Sequence, residues 1–332
     1  MIRRAIISVF EKEGIADFAR QLDDMGVEIL STGGTAQLLS DAGIRVRGIS
    51  DVTGFPECLG GRVKTLHPKI HGGILGRRDD PGHQKEMKDL GIAPIDLVVI
   101  NLYPFRKTVL TPGVRLETCI ENIDIGGPAM LRSASKNFAH VTVLTDPADY
   151  AQVLAEIRAE GDTRYETRLR LAKKAFELTS EYDSLIASYL WQQVPAEPPP
   201  ERLTLAFQKV QDLRYGENPH QKAVFYRNAI PVRGGISEAR QVNGKDLSYN
   251  NIADADAAIS IVKEFEAPVM VAIKHANPCG VALGSSVRDA WRRCYEADPV
   301  SIYGGVIATN REIDAETAID MSAVFLEVVV AP

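Results

Sequence analysis

The segment from Gly60 to Leu75 reads GGRVKTLHPKIHGGIL and carries five side chains that can bear a positive charge. Glycine pairs stand near both ends and a proline lies in the middle, so we expect a shaped loop without helix or strand periodicity. Glycines let backbone N–H groups approach a ligand closely, and Arg, Lys and Thr donors suit phosphate oxygens. The segment therefore predicts a site for an anionic ligand, with a solvated basic loop as the alternative.

Short apolar runs followed by helical patterns predict the elements that position this segment. Ala5–Phe10 and Val27–Leu30 are typical of buried strands, and each is followed by a helix with apolar residues at helical spacing. This alternation implies a parallel sheet with helices on its faces, in which ligands gather at the carboxyl ends of the strands. The glycine-rich turn at residues 31–35 lies at one such end, before a helix N-terminus that favours an anion.

Two more polar segments follow predicted elements of the same sheet. An apolar strand (IDLVVINL) delivers Asn101 and Tyr103 to its carboxyl end, and Asp124 precedes a glycine-rich turn into a helix that carries Lys136. Taken singly, each residue has an ordinary explanation, as a helix cap, a core aromatic or a solvated lysine. Together with Lys64 they form a set of side chains able to transfer protons beside a phosphate seat.

Length and composition bound the class of protein. A chain of 332 residues suggests two domains, and 45% apolar with 25% charged residues is typical of a globular protein. The net charge of −6 argues against nucleic-acid and membrane partners, so an anion must be held by local clusters. The four cysteines lack CxxC and metal-finger spacing, which predicts reduced thiols and no metal site. Without a signal-peptide pattern or a membrane-length apolar run, we expect a cytoplasmic protein.

A proline-rich stretch divides the chain. We predict an α/β domain over residues 1–193, a stiff linker over 194–202 and a second domain over 203–332. In the second part a buried strand delivers Lys274 and His275. The last nine residues are typical of a buried strand, so we expect the natural protein to continue beyond this chain.

Seven segments in collinear order resemble the bifunctional purine-biosynthesis family of AICAR transformylase/IMP cyclohydrolases. They are STGGTA, GRVKTLHPKIHGGIL, NLYPF, ENIDIGGPAMLRSASKN, LRYGENPHQ, LSYNNIADADAA and KHANPCG. The resemblance implies an N-terminal methylglyoxal-synthase-like parallel-sheet domain, an IMP cyclohydrolase, and then the first part of a cytidine-deaminase-like transformylase domain. It implies formyl transfer from 10-formyltetrahydrofolate to AICAR, giving FAICAR, and closure of FAICAR to IMP with loss of water.

The resemblance also implies site residues. Those placed in catalysis are Lys64, Tyr103, Asp124 and Lys136 for ring closure, and Lys274 and His275 for formyl transfer. Those placed in substrate binding are Lys12, Ser31, Thr32, Gly33, Gly34, Thr35, Arg62, Thr65, Asn101 and Gly126, and in the second domain Arg214, Tyr215 and Asn251. Ring closure is expected to need no cofactor, whereas 10-formyltetrahydrofolate is the co-substrate of the transformylase. The implied partners are the nucleotides FAICAR, IMP and AICAR and, in the full-length protein, a second copy in a homodimer.

Two departures from the family pattern affect these expectations. Phe10 stands where the family commonly shows serine, which removes a hydroxyl donor near Lys12 and the phosphate. The segments expected to complete folate binding are missing, so we expect this chain to close FAICAR but to have little formyl-transfer activity. For His67 and His71 we expect structural hydrogen bonds only. Two alternatives stay open: a methylglyoxal-synthase-like lyase, and a nucleotide-binding regulatory module without turnover.

Overall fold

The computed structural model describes residues 1–194, 200–231 and 234–332. The chain divides into two compact units, Met1–Leu205 and Ala206–Pro332. Most of the predicted linker, residues 195–199, lies outside the described residues. The assignment of functional domains to 1–193 and 203–332 stays a prediction.

A parallel five-stranded sheet forms the centre of the N-terminal unit, in the order β3-β2-β1-β4-β5. Its strands are β1 (Arg4–Ser8), β2 (Glu28–Ser31), β3 (Val46–Gly48), β4 (Leu97–Ile100) and β5 (Thr142–Leu144). The middle of β1 and the whole of β4 are buried, as expected where helices cover both faces of a parallel sheet. The predicted alternation of strands and helices is confirmed.

Helices follow the strands of this unit. They are α1 (Ile15–Asp24), α2 (Gly33–Asp41), α3 (Ile49–Thr53), α4 (Pro68–Leu75), α5 (Pro81–Asp89), α6 (Phe105–Val109), α7 (Leu116–Glu121), α8 (Gly126–Lys136), α9 (Tyr150–Glu160) and α10 (Tyr165–Gln192), with 3₁₀ turns at Leu59–Gly61 and Pro147–Asp149. In α1 the buried side chains recur every three or four residues, so one apolar stripe is turned inward. These side chains are Ile15, Phe18, Ala19 and Leu22.

The prediction that Gly60–Leu75 is a loop throughout is wrong for its second half, which forms α4. His67 caps this helix by accepting the N–H of Lys69 at its Nδ1 (3.1 Å), and Pro68 opens the first turn. Gly73 lets the helix pack closely, because a Cβ there would lie 2.6 Å from a backbone carbonyl oxygen. The second glycine pair therefore serves helix packing, and an eight-residue helix was too short for its periodicity to be recognised.

The C-terminal unit contains a four-stranded sheet in the order β11-β10-β8-β9 and a separate strand pair, β6 with β7. The strands are β6 (Phe207–Leu213), β7 (Ala223–Asn228), β8 (Val269–Lys274), β9 (Asn277–Leu283), β10 (Gly305–Thr309) and β11 (Leu326–Val330). The helices are α11 (Tyr249–Val262), α12 (Val287–Ala297) and α13 (Ala315–Ser322), with a 3₁₀ turn at Ile236–Glu238. The strand predicted for the last nine residues is confirmed as β11, but the prediction that it is buried is wrong. It pairs with β10 at the edge of the sheet, and Val329 is 46% exposed.

A strained two-residue turn joins β8 to β9. His275 and Ala276 form it, with φ of 53° and 60°, the pattern of a type I′ turn that Asn and Gly usually build. Asp254 of α11 accepts the N–H of Ala276 at 2.7 Å and so ties the turn to the helix. A non-glycine residue in this left-handed region is disfavoured by roughly 1–2 kcal/mol, because its Cβ crowds the backbone.

Ala276→Gly should therefore stabilise the C-terminal unit, because glycine adopts a φ near +60° without that steric cost. We expect the free energy of unfolding to rise by about 0.5–1 kcal/mol once the greater freedom of glycine in the unfolded chain is included. Urea denaturation followed by the fluorescence of Trp291, which is buried in this unit, measures the change in a Trp191→Phe background. Ala282→Gly, at an ordinary strand position in β9, should instead destabilise the unit. A loss of stability in Ala276→Gly would contradict the conclusion that this turn is strained.

Candidate active site

The carboxyl edge of the parallel sheet gathers the predicted residues of the N-terminal unit. The strand order reverses between β1 and β4, and ligands bind in the crevice at such a point. Residues 10–12 follow β1 and residues 101–103 follow β4, so they flank this crevice. Asn101 joins the two segments: its Oδ1 accepts the N–H of Glu11 (3.1 Å), and its Nδ2 donates to the Glu11 carbonyl oxygen (3.0 Å). In this structure Asn101 therefore holds the walls of the crevice together.

The turn at residues 31–35 places the N-terminus of α2 at the same edge. Ser31 and Thr35 are buried, and their hydroxyls donate to carbonyl oxygens within and just after β1 (2.7 and 2.9 Å). The first-turn N–H groups of an α-helix have no carbonyl acceptor within the helix, and the Thr32 side chain does not cap those of α2. These N–H groups and the helix dipole are the features of the turn that suit an anion, whereas the two hydroxyls hold the turn against the sheet.

Lys12 lies against this turn. Its Nζ donates to Thr35 Oγ1 at 2.8 Å and to the carbonyl oxygen of Val9. Burial lowers the pKa of the Lys12 ammonium. Because a desolvated cation gains strongly from a nearby opposite charge, Lys12 is well suited to an anion bound at α2.

Lys64 and Thr65 touch the starts of two different helices. Lys64 Nζ lies beside Gly33 at the start of α2, where an added Cβ would be 3.7 Å away. Thr65 is only 5% exposed and lies against Gly126 at the start of α8, where a Cβ would be 2.7 Å from Thr65 Oγ1. Any side chain at position 126 would therefore force Thr65 to move. Three predicted segments meet at this point.

Asp124 lies at the start of α8 as well. Its Oδ1 accepts the N–H of Gly127 at 2.8 Å, and its carboxylate also accepts the N–H of Tyr103. Burial raises the pKa of Asp124, and these two hydrogen bonds offset only part of that effect. Asp124 is thus a helix cap, its ordinary explanation, and also a carboxyl group that keeps its proton to a higher pH than an exposed aspartate does.

Tyr103 stands at the mouth of the crevice and is 42% exposed. Phe10 packs against it edge-on, with ring centroids 5.8 Å apart and an interplanar angle of 69°. Phe10, which stands where the family commonly shows serine, therefore supports Tyr103 from the neighbouring segment. Such an aromatic pair contributes on the order of 0.5–1.5 kcal/mol beyond the burial of its area.

Two residues of the predicted set lie away from this cluster. Arg62 pairs with Glu121 of α7, and both side chains are more than half exposed. Lys136 is exposed at the last position of the 11-residue helix α8. The rise of an α-helix separates it from Gly126 by about 15 Å. A single chain does not bring Lys136 to Asp124, so its catalytic role stays a prediction.

In the C-terminal unit, Lys274 and His275 stand at the strained β8–β9 turn. The Nζ of Lys274 donates to the carbonyl oxygen of Tyr303, and His275 is exposed. Strained backbone of this kind clusters at functional sites, which agrees with the role predicted for His275.

The predicted AICAR-binding residues occupy other elements of this unit. Arg214 and Tyr215 follow β6, with the guanidinium 5.1 Å from the centroid of the Tyr215 ring. Asn251 forms a capping box with Ser248 at the start of α11 and donates to Glu327 of β11 at 2.7 Å. Among the described residues, no hydrogen bond or ion pair joins either group to Lys274 or His275.

The two histidines of the basic segment make the structural hydrogen bonds predicted for them. His67 caps α4, and His71 Nδ1 lies 3.1 Å from Ser133 Oγ of α8. Burial lowers the pKa of the His71 ring. Neutral His71 therefore joins α4 to α8.

A cavity of about 510 Å³ lies at the opposite, amino edge of the sheet and contains none of the predicted site residues. Several of its charged side chains pair with each other, as Arg4 does with Glu28 and Arg168 with Asp162, so we assign it no role. Across residues 1–194, 200–231 and 234–332, no group of three His, Cys, Asp or Glu side chains could hold a metal ion. In the same ranges no helix is long and apolar enough to cross a membrane.

Comparison with known proteins identifies the family. The family model of the AICARFT/IMPCHase bienzyme matches residues 134–332, more than half of the chain. The chain belongs to the AICARFT/IMPCHase bienzyme family. The MGS-like domain matches residues 14–129, which include most of the crevice. The resemblance and the predicted α/β fold, with a methylglyoxal-synthase-like parallel-sheet domain, are therefore confirmed.

Curated members of this family match over the whole chain. The bifunctional purine biosynthesis proteins PurH of Acetivibrio thermocellus and Ruminiclostridium cellulolyticum are 58% and 56% identical over 332 residues. These residues are 100% of this chain but 65% of each relative. The crystal structure of ForH is 41% identical with a TM-score of 0.51, and the match covers 57% of this chain and 97% of that chain. The cytidine-deaminase-like fold of the second domain stays a prediction.

Sequence reasoning missed two residues at this site. Tyr182 is buried on α10, where an aromatic side chain indicates packing alone, yet its hydroxyl accepts the N–H of Asp124 (2.8 Å) and donates to the carbonyl oxygen of Asn122 (3.2 Å). A buried tyrosine hydroxyl needs a partner, and that requirement could have drawn attention to it. Glu57 pairs with Lys64 at 3.0 Å. No regular spacing predicts this pair, because an irregular turn brings the two residues together.

Asp124→Asn should change how stability depends on pH. Because burial raises the pKa of Asp124, the ionised carboxylate destabilises the folded chain above the folded-state pKa, and this penalty is absent below the unfolded-state pKa. The asparagine oxygen can still accept from Gly127. We expect the variant to have a higher Tm than wild type at neutral pH, with the difference vanishing below about pH 3.5.

Thermal unfolding followed by circular dichroism across this pH range measures the difference. Asp89→Asn is the matched control, since Asp89 is exposed on α5 and pairs only with Lys85 (2.9 Å) among the described residues. It should show no comparable trend. An Asp124→Asn chain less stable than wild type at neutral pH would contradict the assignment.

Proposed function

We propose that the N-terminal unit is an IMP cyclohydrolase, which closes FAICAR to IMP with loss of water. The observation that carries this proposal is the position of Lys64 and Thr65 between the starts of α2 and α8, beside Asp124 with its raised pKa. One crevice thus combines a helix N-terminus, a cation and a carboxyl group. Membership of the bienzyme family supports the same function, and nothing at the site favours a methylglyoxal-synthase-like lyase.

Ring closure moves two protons from nitrogen to oxygen. The carboxamide nitrogen loses a proton as it attacks the formyl carbon, and the oxyanion of the tetrahedral intermediate takes up a proton to become a hydroxyl. The formamide nitrogen then loses its proton as the C=N bond forms, and the hydroxyl takes up a second proton and leaves as water. We assign Asp124 to the nitrogen side, because a carboxyl group with a raised pKa exchanges its proton closer to neutral pH. Lys64 and Tyr103 belong on the oxygen side, where donors stabilise the developing oxyanion. The reaction is intramolecular, so positioning supplies much of the rate and no cofactor is required.

The nucleotide phosphate is proposed to bind at the N-terminus of α2. The first-turn N–H groups of Gly33, Gly34 and Thr35, together with Lys12, provide donors there. Lys64 lies beside this position, and Thr65, the next residue in the chain, lies at the start of α8. Arg62 joins the phosphate site if it leaves Glu121. Asn101 joins the two segments that wall the crevice and so keeps the crevice open to the base of the nucleotide.

For the C-terminal unit we propose a part in formyl transfer from 10-formyltetrahydrofolate to AICAR. His275 would act as base for the amine and Lys274 would face the formyl oxygen, with Arg214, Tyr215 and Asn251 binding AICAR. The exposed, strained turn at His275 supports this assignment.

We further propose that the full-length protein is a cytoplasmic homodimer. Lys136 is exposed at the far end of α8 from Asp124, so it can take part in ring closure only at a site formed with a second copy. The catalytic role predicted for Lys136 therefore depends on the homodimer.

FAICAR turnover by this chain tests the proposed function. We expect IMP to form, as followed by absorbance, and Lys64→Ala to lower kcat by about 100-fold or more, because a donor to the oxyanion is lost. Lys85→Ala, an exposed lysine on α5 with its side chain 81% accessible, is the matched control and should retain activity. Tight IMP binding without turnover would contradict the proposed enzymatic activity and indicate a nucleotide-binding regulatory module.

A further inference from the structure

Glu57 forms an ion pair with the proposed catalytic lysine. Its Oε1 lies 3.0 Å from Lys64 Nζ, and the two side chains are 46% and 27% exposed. We propose that Glu57 is a positioning residue that holds the Lys64 ammonium in the crevice. The inference rests on the proposed cyclohydrolase function and adds a residue to it.

The backbone of residues 57–64 brings this pair together. Cys58 and Val63 form an isolated antiparallel bridge, with Cys58 N–H donating to the Val63 carbonyl oxygen at 3.2 Å. Glu57 and Lys64 stand immediately outside the bridge, where cross-strand side chains of opposite charge can pair. The chain reverses inside the bridge through three consecutive residues with positive φ, which are Leu59 (55°), Gly60 (65°) and Gly61 (90°).

Gly61 leaves the space that the ion pair occupies. A Cβ at this position would lie 2.7 Å from Glu57 Oε1, 3.0 Å from Lys64 Cε and 3.2 Å from Lys64 Nζ. Gly60 also has a positive φ, but its Cβ would meet no atom within 4 Å. Gly60 therefore only turns the chain, whereas Gly61 turns it and also makes room for the pair.

The pair has an electrostatic reason. Lys64 Nζ lies beside Gly33 at the N-terminus of α2, where the helix dipole presents partial positive charge. An ammonium is repelled there until an anion binds, and the Glu57 carboxylate offsets that repulsion. Within the described residues Lys64 pairs with no other acidic side chain. Without Glu57 the lysine side chain is free to leave the crevice for solvent.

This arrangement separates turnover from binding. Glu57 orients Lys64 for the reaction, yet its negative charge opposes an anion at α2. Removal of the carboxylate should therefore lower kcat without weakening IMP binding. A role in folding alone would instead lower Tm and weaken binding together.

Steady-state kinetics and IMP binding of Glu57→Gln test the proposal in the full chain. We expect kcat for FAICAR closure to fall by about tenfold or more, with the Kd for IMP unchanged or lower, and Tm close to that of wild type. Asp89→Asn, the same chemical change at an exposed lysine pair, should leave kcat unchanged. Gly61→Ala should lose more turnover than Gly60→Ala, because only the former displaces the pair.

A second measurement reports the orientation of Lys64 without turnover. After reductive ¹³C-methylation of the lysines, the NMR signal of Lys64, assigned by its absence in Lys64→Arg, should move in Glu57→Gln and stay in Asp89→Asn. Wild-type kcat in Glu57→Gln, or a joint loss of Tm and IMP binding, would overturn the inference. If the wild-type chain forms no IMP, the proposed function fails. The role of Glu57 is tested separately, because a Lys64 signal that does not move in Glu57→Gln would overturn it.

Discussion

The convergence of two helix N-termini on residues 64 and 65 is the constraint on which the candidate site depends. Lys64 reaches the start of α2, and Thr65 reaches the start of α8 so closely that any side chain at position 126 would displace it. Both helices begin at the carboxyl edge of one parallel sheet, so their unpaired N–H groups and positive dipole ends face the same crevice. A cation placed there needs an opposite charge. Glu57 supplies it in this structure, and the phosphate proposed to bind at α2 would supply a second one.

Several residues of the proposed site are also structural supports. The hydroxyls of Ser31 and Thr35 hold α2 against β1, and Asn101 clamps the segments after β1 and β4. Asp124 caps α8 while its burial raises its pKa. These contacts hold the walls of the crevice in place, which is the preorganisation that the proposed intramolecular ring closure would use. Loss of such a residue would affect both packing and chemistry.

Backbone strain is concentrated where chemistry is proposed. Leu59, Gly60 and Gly61 all adopt positive φ beside Lys64, and His275 and Ala276 do so at the β8–β9 turn. In each place a carboxylate accompanies the strained segment: Glu57 pairs with Lys64, and Asp254 accepts the N–H of Ala276. Tight turns project a side chain from a defined position, and surrounding contacts must hold them against their cost. The two units therefore use the same device on unrelated sheets.

Most of the architecture could be predicted from local patterns, because apolar periodicity and glycine turns report directly on strands, helices and their ends. The seven collinear segments were specific enough to identify the family, and they delimited the site to a few turns. The helix that carries Lys136 was predicted, and its length alone separates Lys136 from Gly126 by about 15 Å. The sequence could not show that Tyr182 reaches the backbone of Asp124. It also could not reveal the pairing of Glu57 with Lys64. These features arise from contacts across irregular turns and between distant elements, where no spacing rule relates one residue to another. Both contacts form only when the chain folds, because each depends on how closely two segments of the backbone approach one another.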